Sequence, residues 1–203
     1  MPKKQIKNQD SQRPSRAIKH AAQVRALASP TRNAIVQVIG SQGEASVREI
    51  AHQLGRQPPS LYKHIDILLD VGLIEQVGTE PTIRRDARIF TTDIECLRYA
   101  PEDPDLVEAL IEFVESEMRY ATRSLAKAYR SGIDTDQPVI AGPSRDTRFY
   151  HYLAWLSDDE LASINQHIDA IDKVMRQGTR REGTKLVTHL STLFPTLVTQ
   201  KER

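Results

Sequence analysis

The stretch SVREIAHQLGRQPPSLYKHIDILLDVG, residues 46–72, decides how the chain is read. It opens on Ser46-Val47-Arg48-Glu49, where a serine at a helix cap and a glutamate three residues later satisfy each other's end of the helix. Ile50, Ala51 and Leu54 give that helix a buried face. Gly55-Arg56-Gln57 then predicts a tight turn, because glycine accepts the left-handed backbone that ends a helix. Pro59 suits the first turn of a second helix, in which Leu61, Ile65 and Leu68 form one stripe and Gly72 is the C-terminal stop. Two short helices joined in this way predict a helix-turn-helix. The stripe leaves Ser60 and Lys63 pointing outward, with Tyr62 and His64 flanking them. Such short polar and basic groups near a helix N-terminus can enter a major groove, where helix-end amides also favour phosphate.

Working outward from this motif, Leu73–Val77 and Ala87–Thr92 read as strands around a loop at Gly78–Asp86, a hairpin that would form a wing. Arg84, Arg85 and Arg88 on it are candidates for contacts to the DNA backbone or minor groove. On the other side, Ser29 and Pro30 predict the start of a helix with Ile35, Val36, Val38 and Ile39 inward, stopped between Gly40 and Gly43. A shorter amphipathic helix is expected from Arg16 to about Ser29, and residues 1–15, with Lys3, Lys4, Lys7 and Arg13, are expected to be a flexible basic arm. Residues 16–99 are thus expected to be a winged helix-turn-helix DNA-binding domain.

Beyond Pro101 and Pro104 the apolar positions Leu106, Leu110, Val114, Met118, Ala121 and Leu125 predict a long helix, Asp105–Arg130, with a packing seam. Its length, about 39 Å at 1.5 Å per residue, exceeds what one small domain needs. Residues 104–131 are therefore expected to build a homodimer, with packing against a later helix as the alternative. Residues 147–203 are expected to form a small α/β assembly or effector-sensing region: strand Phe149–Leu156, helix Asp158–Gln177 behind a Ser157/Glu160 capping box, and strand Leu186–Phe194. Antiparallel pairing of these strands would bring His189 towards His151, Tyr152 and Trp155, a candidate pocket for a small organic effector. The alternative is that the same aromatics fill a dimer core. The fold class expected overall is mainly α with small β.

Composition narrows the function. The chain has 203 residues, of which 39% are apolar and 27% charged, and its mean hydropathy of −0.48 comes with no apolar run long enough to span a bilayer. No secretory signal pattern opens it, and the single Cys96 permits no internal disulfide, so a cytoplasmic location is expected. The net charge of +1 conceals an asymmetry: residues 1–99 carry 15 Lys and Arg against 10 Asp and Glu, whereas residues 100–203 carry 13 against 17. A basic first half suits a polyanion. No nucleophile elbow, phosphate-binding glycine loop or His-Glu-x-x-His pattern is present, so no catalytic residues are assigned and no cofactor is expected.

The segments LASPTRNAIVQVI, SVREIAHQLG, SLYKHIDILLDVGLIEQ and RRDARIFTT follow the order and spacing of the ArsR-like winged-helix repressors, which the chain resembles over roughly residues 20–92. The resemblance is to a branch with a Leu-Tyr-x-His recognition helix and an appended helical domain. It implies a dimeric regulator on a palindromic double-stranded operator, with DNA contacts at Ser60, Tyr62, Lys63 and His64 and wing contacts at Arg84 and Arg85. Pro58 departs from the polar residue common at that helix entry, and Gln57 is a weaker cap than serine. Metal-sensing members resemble a different chemistry, placing a Cys-x-Cys pair where this chain reads VREIAHQL; no metal ligands are assigned here, and His167, Asp169 and Asp172 on one helix read as a solvated face. The alternative functions are a winged-helix protein-interaction scaffold without DNA binding and a metal-sensing repressor.

Overall fold

The computed structural model describes residues 16–18, 20–81, 86–97, 102–131 and 139–195. Its elements in order are β1 (Arg16–Ile18), α1 (Ala21–Leu27), α2 (Pro30–Gln42), β2 (Glu44–Ser46), α3 (Val47–Gln53), a 3-10 turn (Pro58–Ser60), α4 (Tyr62–Asp70), β3 (Glu75–Glu80), β4 (Ala87–Thr91), β5 (Ile94–Leu97), α5 (Pro104–Ser131) and α6 (Asp158–Arg176). The mainly helical class with a small sheet is as the sequence predicts. The chain divides within α5 into a unit ending at Ser116 and a unit beginning at Glu117.

In the first unit, apolar faces of α1 to α4 close on a three-stranded antiparallel sheet of order β2-β4-β3. Val24, Ile35, Ile39, Ile50, Leu61, Ile65, Leu68 and Phe90 are sealed from solvent at its centre. The Ser46/Glu49 capping box forms as expected: Glu49 N–H donates to Ser46 Oγ, and Ser46 N–H donates to Glu49 Oε2 at 2.7 Å. Gly55 (φ 61°) supplies the left-handed turn after α3, and Gly72 (φ 68°) the one after α4.

Three local expectations need correction. The expected helix from Arg16 starts only at Ala21, because Arg16–Ile18 is a strand paired in parallel with Ile94–Leu97. That partner lies far along the chain, so helical spacing of Ile18 and Ala21 could not reveal it. Ser29 occupies the cap position of α2, yet its side chain makes no capping bond. The helix expected from Pro59 opens as a 3-10 turn, with Ser60 N–H on Gln57 O at 3.1 Å and Leu61 N–H on Pro58 O at 3.0 Å; the α-helical pattern begins with Ile65 N–H on Leu61 O, 2.9 Å. The stop of α2 falls where expected, within Gly40 to Gly43: the helix runs to Gln42 and Gly43 is its C-cap.

The beginning of α5 belongs to this unit's core. Leu106 and Ala109 are buried, and Leu110 and Phe113 pack against the same cluster. Arg25 of α1 holds the helix from outside, 2.6 Å from Asp105 and 3.4 Å from Glu112. The expected seam therefore splits: Leu106 and Leu110 pack within the chain, whereas Val114 and Met118 stay exposed, as does Ile111, which lies outside the expected seam.

In the second unit α6 forms with the predicted Ser157/Glu160 box, Ser157 N–H donating to Glu160 Oε2 at 2.8 Å. The Glu160 carboxyl is held below its ordinary range by these Ser157 bonds, backbone first. The two strands expected at Phe149–Leu156 and Leu186–Phe194 are absent: both segments are irregular, and no ladder joins them. A strand needs a neighbour for its backbone groups, and the described residues provide none there. The small α/β reading of residues 147–203 is thus corrected to one helix flanked by irregular chain, with residues 196–203 outside the described range.

Candidate nucleic-acid interface

The interface is built on the asymmetry of α4. Leu61, Ile65 and Leu68 are fully buried, which fixes the opposite face towards solvent. Ser60, Tyr62 and Lys63 lie on that exposed side, as their sequence positions predict. Ser60 Oγ–H donates to Gln57 O at 2.7 Å, tying the hydroxyl into the turn that leads to the helix. Arg56, in the turn itself, is an exposed cation as well.

His64 departs from the expected free flank. It is half-buried, and its Nδ1 is sealed from solvent with no hydrogen-bond partner among the described residues. Burial first, and then the positive charges of Arg32, Arg56 and Lys63, push its pKa below the ordinary 6.5. Arg32 is itself committed to the fold: its Nε–H donates to Ala26 O, and its guanidinium also reaches Arg25 O at 3.4 Å. Burial lowers the Arg32 pKa as well. A neutral imidazole at His64 can serve as a positioned polar group, but it adds no charge to the surface.

The wing is coupled to the helix. Arg88 on β4 bonds Asp66 of α4 at 3.1 Å, and its guanidinium lies over the Phe90 ring at 5.4 Å and the Tyr62 ring at 5.9 Å. Its predicted role as a freely reaching DNA contact is therefore joined by a structural one, fixing the wing base against α4. Asp66 was missed in the sequence, since its partner lies 22 residues away and no periodicity marks the pair. Arg84 and Arg85 lie outside the described residues.

The expected effector pocket does not assemble within the chain. His151, Tyr152, Trp155 and His189 are all exposed, Trp155 at 90%. The ring stack that does form joins Tyr150 to Tyr152, 5.7 Å apart, with Arg148 over Tyr150. A cleft of about 260 Å³ opens elsewhere, between the end of α4 and the wing, lined by Gly72, Leu73, Ile74, Thr91 and Thr92 among others. No group of three or more His, Cys, Asp or Glu gathers as a metal site among the described residues. The His167 ring bonds the Ser163 carbonyl one turn back, its Nδ1–H donating at 2.7 Å. No described helix is long and apolar enough to cross a membrane.

Residues 27–77 match a family described as a helix-turn-helix domain. Among solved structures, Lactococcus lactis ZitR, as its C30AH42A mutant in apo form, is similar at 12% identity, covering 73% of this chain and 83% of that one with a TM-score of 0.26. No curated protein matches the chain. The matched residues run from the end of α1 through α4 into β3, the part of the chain whose geometry is described above. The chain carries a winged helix-turn-helix of the kind found in DNA-binding regulators.

Proposed function

We propose that the chain is a sequence-specific transcription regulator, an ArsR-like repressor that binds a palindromic double-stranded operator as a homodimer. The observation that carries this reading is the outward face of α4 and of the 3-10 turn before it, where Ser60, Tyr62 and Lys63 stand exposed while the other face of the helix is sealed into the core. Ser60, Tyr62 and Lys63 are the base-reading candidates, Arg56 joins Arg84 and Arg85 as backbone contacts, and His64 and Arg88 orient the helix and wing. Residues 16–99 form the DNA-binding domain, residues 104–131 the dimerisation helix through its exposed Ile111, Val114 and Met118, and residues 147–203 serve assembly. Control by a small organic effector at His151, Tyr152, Trp155 and His189 would require those side chains to be brought together by a further partner.

Selection of bound duplexes from a random pool tests the proposal directly. Recovery of a palindrome with half-sites about one helical turn apart, about 34 Å, is the expected result. Binding should also weaken steeply with added salt, through release of counterions from the phosphates. A pool that enriches no sequence, with no affinity for duplex at low salt, would make the winged helix a protein-interaction scaffold instead.

A further inference from the structure

The second unit leaves an unusual amount of apolar surface uncovered. Phe149 (72% exposed), Tyr152 (73%), Trp155 (90%) and Phe194 (70%) are all open to solvent, and along the α6 stripe Leu161, Ile164, Ile168, Ile171 and Met175 none is fully buried: the first three are half-buried and the last two exposed. At 150–250 Å² per aromatic side chain, the four rings alone expose on the order of 500 Å². On α6 itself, Ile171 and Met175 are each 40% exposed.

Charge indicates what covers it. The first turn of α6 holds Asp158, Asp159 and Glu160, and its last turn holds Lys173 and Arg176. A helix acidic at one end and basic at the other is complementary to itself when turned around. A two-fold axis at Ile168 sets Leu161 against Met175 of the partner subunit and the acidic end of each helix beside the basic end of the other. It also repeats the exposed aromatic segment on both copies, as an isologous contact requires.

We infer that α6 and the aromatic segment Phe149–Leu156 form a homotypic interface, in which α6 pairs antiparallel with α6 of a second copy of this chain. The interface is separate from the dimerisation assigned above to α5 and does not rest on DNA binding. Its occupant is this chain rather than an unrelated protein, because the charge pattern and the apolar stripe are both self-complementary.

Engineered cysteines test the pairing in the full chain, in a Cys96→Ser background. Leu161→Cys combined with Met175→Cys places two thiols about 21 Å apart on one helix, too far to bridge within a chain. Mild oxidation should therefore give a covalent dimer from the double variant and from Ile168→Cys alone. Leu161→Cys alone should stay monomeric on a non-reducing gel. Cross-linking of Leu161→Cys alone means parallel packing and overturns the proposal, as does failure of the double variant and Ile168→Cys to cross-link while circular dichroism retains the native helix content. Trp155 emission should shift to the red on dilution as its cover is lost, and emission independent of concentration would count against the interface. Cross-linking retained by a chain that selects no duplex is a failure of the DNA reading alone; a palindrome recovered by a chain that never cross-links is a failure of this interface alone.

Discussion

At His64 the requirements of core and surface meet on one side chain. Its ring is half-buried with Nδ1 sealed, and burial and the charges of Arg32, Arg56 and Lys63 all disfavour its cation. The folded pKa lies below the ordinary 6.5, so the unfolded chain binds the proton more readily. Above 6.5 both states are neutral at this residue and its contribution does not change with pH; as the pH falls through 6.5 towards the depressed folded value, stability is lost. Chemical denaturation between pH 7.5 and 5 should show that decline, and His64→Gln should flatten it. A slope unchanged in the variant would assign the decline to other groups. Lys63, by contrast, is exposed and serves DNA: Lys63→Ala should lower operator affinity by about 1–3 kcal/mol if it reads a base, with little change in folding stability. Arg88 and Asp66 should act as one unit on the wing, so that operator affinity in the Arg88→Ala/Asp66→Ala double variant is no worse than in the poorer single variant. Outward residues such as Ser60 and Lys63 were legible because a buried stripe at helical spacing assigns the opposite face. The Arg88–Asp66 pair was not legible, because it joins two elements whose approach only the folded sheet defines.

Among the elements, the two capping boxes show the limit of local reading from its favourable side. Ser46 with Glu49 and Ser157 with Glu160 sit one helical turn apart in sequence, and both close as the residue types demand. Ser46 is almost fully buried, and it caps the first helix of the helix-turn-helix. Ser46→Ala should therefore destabilise the chain by about 1 kcal/mol in thermal or urea unfolding, with Ser157→Ala, at an exposed site, costing less; equal losses would show that burial at Ser46 adds nothing. Strands fared worse. The β1–β5 pair joins Arg16 to Ile94, and neither three- to four-residue run carries an alternation that identifies its partner. At Phe149–Leu156 the alternation is present and the ladder is missing, since a strand's stability belongs to the pair rather than to either segment. Helices depend on bonds within their own residues, which is why α3, α4, α5 and α6 were all legible to within a few residues.

For the whole molecule, α5 separates folding from assembly along a single helix. Leu106 and Ala109 are sealed into the winged-helix core with Leu110 and Phe113 against it, while Ile111, Val114 and Met118 on another face remain near half-exposed. The sequence showed one seam because Leu106, Leu110, Val114 and Met118 share a spacing; it could not show that the first two of these positions meet the winged-helix core while Val114 and Met118 stay open. Two substitutions on this helix should consequently act on different quantities. Leu106→Ala removes a buried side chain and should destabilise the folded chain by about 2–5 kcal/mol, moving the unfolding midpoint of the DNA-binding unit. Val114→Asp places a charge on a site already in water, so it should leave that midpoint within about 0.5 kcal/mol. It should nevertheless weaken self-association in sedimentation, together with the operator affinity that depends on two recognition helices acting at once. If Val114→Asp unfolds the chain, or leaves both association and affinity intact, the open stripe of α5 is not the dimer seam, and the symmetry of operator binding must come from the second unit alone.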